Sequence, residues 1–399
     1  MDPSSAAIQQ TRRTRIVCIS DTHNSTPKLP KGDVLIHAGD LTNKGSYSEL
    51  SKAIQWLEKA DFEKKIVIAG NHDLTLDLEF YSAHGHVIHN QDSQDPEKCL
   101  SLLKSSRTIT YLCHGSATIR LTDPKGPRTE FTVFGSPYSP RVGLWAFSYD
   151  REDKSSPGIQ ISSGPGQEPR LGPGAAELWA SIPLDTDIVV SHTPPYGYCD
   201  ASLGCEELRT RLSQVRPRLH ICGHVHHGRG AKRVRWDVSG VSQVNNGLPE
   251  PTVENWTDPS PDISSAKISL IDLTARGGNR PLDFYDQAPR ERLQREPGKS
   301  GPGQQGLSLK PSCARLSSGF EGDDSVWAGP EAELGDYQPI TTEAFGSDTQ
   351  HLGAEPRGRL GRRETCIINC AIVANSWPHT GGKRFNKPIV VDLGLPVWR

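Results

Sequence analysis

No apolar run in this chain approaches the roughly 20 residues that cross a bilayer, so no membrane-spanning helix is expected. The N-terminal MDPSSAAIQQTRRTR lacks the apolar core of a secretory signal, and the nine cysteines include no CxxC pair. These absences point to a reduced, cytoplasmic chain, with the nucleus left open. The glycosylation-like patterns at Asn24 and Asn255 then carry no weight. Neither sign of charge dominates: 45 Lys+Arg against 47 Asp+Glu leave −2. That balance gives no electrostatic case for binding nucleic acid or an anionic membrane. Apolar residues are also sparse, 34% of the chain, beside 31 Pro and 38 Gly. The composition suggests a globular core diluted by loop-rich sequence.

Five short polar stretches follow five apolar, β-branched runs. Asp21-Thr-His23 follows RIVCIS, Gly39-Asp40 follows DVLIHA, and Gly70-Asn71-His72-Asp73 follows KKIVIA. Ser191-His192 follows DIVV, and Gly223-His224-Val-His226 follows LHIC. If each run is a strand, Asp, Asn and His collect where strands end, which favours a metal site over unrelated polar residues.

A βαβ rhythm starts at Arg15, with strands at 15–20, 33–38 and 65–69. SYSELSKAIQWLEKA places Leu50, Ile54 and Leu57 on one helical face, with Trp56 alongside. TITYLCHGSATIRL and TEFTVFGS alternate as half-buried strands do, which predicts a second, partly antiparallel sheet. AAELWASIP reads as a short helix, and ETCIINCAIVANS and KPIVVDLGL as closing strands. The expected organisation is an α/β domain over 14–240 plus 364–399, after a disordered leader at 1–13. A low-complexity, Pro/Gly-rich insertion at 241–363 interrupts it, with one strand-like piece near 266–274 and no identified partner. It is too poor in apolar residues to offset its ordering entropy, so it is expected to be dispensable for folding.

The residue types specify a chemistry. Asp21 and His23, two apart after a strand, point the same way if the backbone is extended and can hold one divalent ion. Asp40 has two oxygens and can bridge two ions. Asn71 offers a neutral oxygen, His192 an imidazole, and His224 and His226 can face different ions. Two ions about 3.5–4 Å apart generate a bridging hydroxide and clamp a phosphoryl group. Mixed N/O donors without thiolate suit Mn, Fe or Zn, and the sequence does not choose among them. His72, next to Asn71, is placed to protonate a leaving oxygen, and Asp73 to hold the His72 ring in its useful tautomer.

The order DxH, GD, GNHD, H, GHxH resembles the signature of calcineurin-like metallophosphoesterases, with every position filled. IVCISDTHN, DVLIHAGDLT, GSPYSPRVGLWAFSY, SHTPPYGYCD and GHVHHGRGAKRVRWD resemble the brain metallophosphoesterase-domain subfamily and its fungal relatives. The resemblance covers the domain but not the insertion, and implies a four-layer α/β/β/α sandwich. It also implies one ion on Asp21, His23, Asp40 and His226 and a second on Asp40, Asn71, His192 and His224. The implied substrate is a small phosphomonoester or phosphodiester, with cyclic nucleotides one candidate.

Plainer readings compete at several residues. His84, His86 and His89 mimic a ligand cluster but are expected to be structural or exposed, and His37, His114 and His220 to be core histidines. Arg141 offers a phosphate contact and Trp145 a base-stacking face, against a packed loop; His227 touches substrate or lines the rim. The rival function is a metal-binding scaffold or signalling protein with incidental weak hydrolysis.

Overall fold

Alternation within the apolar runs decides which way each strand faces, because successive side chains point to opposite sides of a sheet. The computed structural model describes residues 10–151, 174–236, 251–276, 280–282, 362–375 and 382–398, all within one unit. The chain begins with β1 (Thr11–Ile19), β2 (Val34–Ala38), α1 (Tyr47–Lys59) and β3 (Lys64–Ile68). Helices α2 (Leu78–Ile88) and α3 (Pro96–Lys104) precede β4 (Ile109–Leu112), β5 (Gly115–Arg120), β6 (Glu130–Ser136), β7 (Ser139–Pro140) and β8 (Ser148–Tyr149). Then come α4 (Ala175–Ala180), β9 (Ile188–Ser191), α5 (Glu206–Val215), β10 (Leu219–Cys222) and β11 (Gly230–Arg235). β12 (Thr252–Asn255), β13 (Ser269–Leu273), β14 (Glu364–Asn369) and β15 (Ile389–Pro396) complete the order.

Two large sheets form, ordered β13-β15-β1-β2-β3-β4 and β12-β11-β14-β10-β9-β6-β5, beside the two-stranded β7-β8. Three apolar layers show how they stack. Ile16, Cys18, Ile36 and Ile66 from the first sheet meet Val133, Val190, Ile221 and Ile368 from the second. Their strand neighbours Val17, Leu35 and Val67 pack outward on Leu50, Leu57 and Leu103 of α1 and α3. On the far side Val189 and Ile367 pack on Trp179, Leu208 and Leu212 of α4 and α5. The fold is therefore the α/β/β/α four-layer sandwich. Helix α1 starts at a capping box, Ser46 with Glu49, and buries Leu50, Ala53, Ile54 and Leu57. Full burial of each leucine or isoleucine there contributes roughly 1.5–3 kcal/mol.

Several expectations need correction. β1 begins at Thr11, so residues 11–13 of the expected leader are strand, while 1–9 lie outside the described residues. TITYLCHGSATIRL does not stay in one sheet: β4 pairs with β3 in the first and β5 with β6 in the second. The stretch at 241–363 is not uniformly loose. β12 pairs antiparallel with β11, and β13 pairs parallel with β15 over five residues, Ser269 to Leu273. Excision of the whole stretch would remove an edge strand from each of these two sheets. Residues 237–250 and 283–361 lie outside the described residues. Among the described residues no helix is long and apolar enough to cross a membrane.

Candidate metal centre

The parallel strands β1, β2 and β3 all end on one side, and β9 and β10 of the second sheet end beside them. Backbone bonds fix this junction: Asp21 N–H donates to Gly39 O at 2.9 Å, and Gly223 N–H to His192 O at 3.1 Å. His192 Nδ1 crosses between the sheets to Ala38 O at 2.9 Å. Asp21 and His23 are not extended, as their spacing suggests; they sit at φ 52° and 43°, with Asp40 at 55° and His224 at 64°. Such left-handed backbone is uncommon outside glycine and collects at functional sites. It is held here by pairing of the two ligand loops, His23 N–H to Asp40 O at 3.1 Å among others. A Cβ at Gly223 would collide with Asp21 Oδ2 and one at Gly70 with Asp40 Oδ1, so these positions need glycine.

The seven candidate ligands fall into two groups that share Asp40. On one side, His226 Nε2 lies 3.4 Å from Asp21 Oδ1 and 3.3 Å from His23 Nε2. His23 Nε2 is in turn 3.6 Å from Asp40 Oδ2. On the other, His192 Nε2 lies 3.4 Å from Asp40 Oδ1 and 2.9 Å from Asn71 Oδ1. His224 Nδ1 reaches the same Asn71 oxygen at 2.9 Å. Ligand atoms of Asp21, His23 and His226, and of Asp21, Asp40 and His192, lie within 4.8 Å of one another.

The protons explain why this set fits cations. His23 Nδ1 is turned to Thr42 O at 3.1 Å and His192 Nδ1 to Ala38 O at 2.9 Å. Each of these outer nitrogens therefore carries a proton, because a carbonyl only accepts. The inner nitrogens face each other and carboxylate oxygens, an arrangement that a positive charge, a proton or a metal ion, reconciles. Donors of this kind, imidazole and oxygen without thiolate, match first-row divalent metals.

Titration carries the same message. Burial presses His192 down, yet the charge and hydrogen bond of Asp40, with Asp21, outweigh it and raise His192 to about 9. In the absence of a cation, a proton takes its place. Burial lowers His224 to about 3 and, against the pull of Asp40, His23 to about 4, so both rings are neutral and free to ligate. Burial opposes ionisation of Asp21, but its bond to His226 and the nearby imidazoles bring it down to about 2.

Residues 14–228 match the family described as calcineurin-like phosphoesterase. The chain belongs to that family. It is 35% identical over 230 residues to the human metallophosphoesterase domain-containing protein 1, covering 54% of this chain and 62% of that one. A UPF0046 protein of Caenorhabditis elegans is 33% identical over 225 residues, covering 54% and 64%. The chain is thus similar to metallophosphoesterase-domain and UPF0046 proteins. A protein of Emericella nidulans named probable rhamnogalacturonate lyase C is 40% identical over 227 residues, covering 56% of this chain and 18% of its own length. The chain thus spans less than two thirds of each of these curated relatives. A solved structure of TT1561 from Thermus thermophilus is similar at 13% identity and a TM-score of 0.33, covering 56% of this chain and 84% of that one.

The expected proton-transfer pair, His72 and Asp73, separates. His72 Nδ1 is turned to Asn43 O at 2.9 Å, which leaves Nε2 as the free ring nitrogen. The ring packs between His23, centroids 4.8 Å apart, and Trp145, 4.0 Å apart. Asp73 does not hold that ring. It is fully buried and accepts from Leu41 N, Thr42 N, Thr42 Oγ1 and Gly70 N, tying the loop after β2 to the loop after β3. Burial and the charge of Asp40 push its carboxyl up to about 6. Asn43 has the role expected of Asp73, through a backbone oxygen that leaves no mark in a sequence.

The substrate candidates also divide. Arg141 Nε is paired with Asp150 Oδ1 at 2.6 Å. Trp145 is half-buried and stacks on His72, while His227 is exposed on the turn after His226. Of the other histidines, His37 and His220 are fully buried, bonded to Thr22 Oγ1 and Ser191 Oγ. His114 bridges Ser136 and Ser181. His84 and His86 lie on α2, His86 exposed, and His89 caps that helix and pairs with the Tyr81 hydroxyl. The closing segment supplies site contacts that motif reading missed: Asn375 O lies 3.4 Å from His226 Nδ1, and Lys383 Nζ donates to His23 O at 3.4 Å.

Proposed function

We propose that the chain hydrolyses a small phosphomonoester or phosphodiester at two divalent cations, Mn, Fe or Zn. Asp21, His23, Asp40 and His226 would hold one, and Asp40, Asn71, His192 and His224 the other. The observation that carries this reading is Asp40, whose two oxygens face His23 on one side and His192 on the other. Bound there, the cations supply the charge that activates water and clamps phosphoryl oxygens.

The chain's own residues supply the rest. Asn43 O accepts from His72 Nδ1–H, which leaves the proton on Nε2 as the one donated to the leaving oxygen. Such general acid catalysis contributes typically 10²–10⁴-fold. Trp145 covers one face of that ring and restricts its rotation. Asp73 accepts from both loops and so ties the loop that carries Asp40 to the one that carries Asn71.

The test is a hydrolysis screen over aryl phosphomonoesters and diesters, nucleotides and cyclic nucleotides, run in parallel with Mn, Fe, Zn and Mg. Turnover of at least one ester class that vanishes on chelation is expected. Metal-replete protein inert towards every ester would overturn the proposal.

A further inference from the structure

His224 and His226 serve the two halves of the centre, yet they are two residues apart on one loop. Something must hold that loop so that one ring turns to Asn71 and the other to Asp21. Locally it is a tight turn: Val225 N–H donates to Gly223 O at 2.7 Å around His224, which sits at φ 64°. Turns of this three-residue kind are strained when the central φ is positive and persist only under restraint.

The restraint comes from the last residue of β14. Asn369 is fully buried, and its Nδ2 donates to Gly223 O at 3.3 Å, Val225 O at 2.9 Å and Cys199 O at 2.9 Å. Its Oδ1 accepts from Ala371 N at 3.2 Å, so three acceptors and one donor fix which way the amide faces. The peptide carbonyls of Gly223 and Val225 are those immediately preceding His224 and His226. Rotation of either peptide swings the ligand that follows, and one side-chain amide holds both. The loop also passes close over its support: a Cβ at Gly228 would lie 3.0 Å from Asn369 Nδ2 and collide with Cys199 O.

We propose that Asn369 is a positioning residue that sets the separation of His224 and His226 and so couples the two halves of the centre. This rests on the two-cation reading above. Removal of the amide donors should weaken both cation sites together, whereas loss of a single ligand should weaken chiefly its own.

The experiment titrates the metal-free full-length chain with Mn²⁺, at a temperature where circular dichroism shows the compared chains folded. Asn369→Leu keeps the approximate size and removes the donors. Residues that orient metal ligands typically change affinity 10–100-fold, and a loss of that size at both sites is expected. Asn369→Ser, with one donor, should fall between the leucine variant and the natural chain. His192→Ala, measured alongside, should lose one site preferentially. Unchanged Mn²⁺ affinity in Asn369→Leu, or a loss confined to one site, overturns the inference. Should the leucine variant not fold, Asn369→Ser decides alone: weaker binding at both sites supports the inference and unchanged binding overturns it. A natural chain that takes up no second Mn²⁺ would instead refute the two-cation reading, so the two failures are distinguishable.

Discussion

The two ends of the second sheet solve the same problem with opposite partners. Where β9, β10 and β14 begin, buried carboxylates meet guanidinium groups. Asp187 pairs with Arg218 at 3.1 Å and with Arg362, and Glu364 with Arg233, Arg235 and Arg280. Where the same strands end, the carboxylates Asp21 and Asp40 meet imidazoles instead. Arginine is permanently charged, so the first end is neutralised by the fold itself. An imidazole can be neutral, so the second end can surrender its proton and accept a cation. One end is built to be closed and the other to be filled.

Four experiments bear on this contrast, from the largest expected effect to the smallest. Asp40→Asn should empty both cation sites and reduce turnover on the order of 10³-fold or more, since metal-ion charge supplies several kcal/mol of transition-state stabilisation. Metal analysis beside kinetics checks it; retained metal would break the view that Asp40 is shared. His72→Ala, in contrast, should keep its metal while turnover falls roughly 10²–10⁴-fold. Asp187→Asn addresses the closed end. It should cost about 3 kcal/mol or more of folding stability, because it leaves two buried guanidinium groups short of charge. Denaturant melts should show this with metal uptake unchanged, and a metal-binding defect would erase the division between the ends.

The smallest effect concerns pH. Burial drives His220 down to about 3, from an unfolded value near 6.5. Between those values the unfolded chain binds the extra proton, so stability rises with pH across the window and is lost as pH falls below about 6.5. The contribution approaches about 1.4 kcal/mol per pH unit, and His37, lowered to about 4, adds to it below the same limit. His220→Gln should flatten the dependence of metal-free stability on pH between about 4.5 and 6.5. An unaltered slope there would mean that His220 is not the buried neutral base described. At neutral pH the substitution should leave this term untouched.

Much of the centre was legible because short apolar runs ending in Asp, Asn or His expose both the strand and its ligand in one dimension. Asp40 and His192 lie at strand ends as their neighbours predict. The failures share a physical cause. Helix α2, LEFYSAHGHVI, carries histidines and Gly85, whose missing side chain admits the Tyr81 ring, so no clear apolar stripe marks it. Strand β13 falls inside the strand-like piece expected near 266–274, whereas β12 is a four-residue, fully exposed edge strand in Pro-rich sequence and leaves no apolar pattern. Asn43 acts through its backbone, and Asn369 reads as an ordinary polar residue at a strand end. Asp73 shows the converse: adjacency to His72 in the chain suggested a contact, but the turn sends the carboxylate to Gly70 and Thr42.

Arg233 has a topological effect beyond its ion pairs. Its guanidinium donates to the carbonyls of Arg280 and Pro281 and to Glu364, so the chain on either side of 283–361 is gathered at one side chain. The end-to-end gap of that stretch is therefore set by the folded domain, not by the stretch itself. The points where the chain leaves and re-enters the described domain thus share one anchor on β11, and a substitution at Arg233 would release Arg280, Pro281 and Glu364 together.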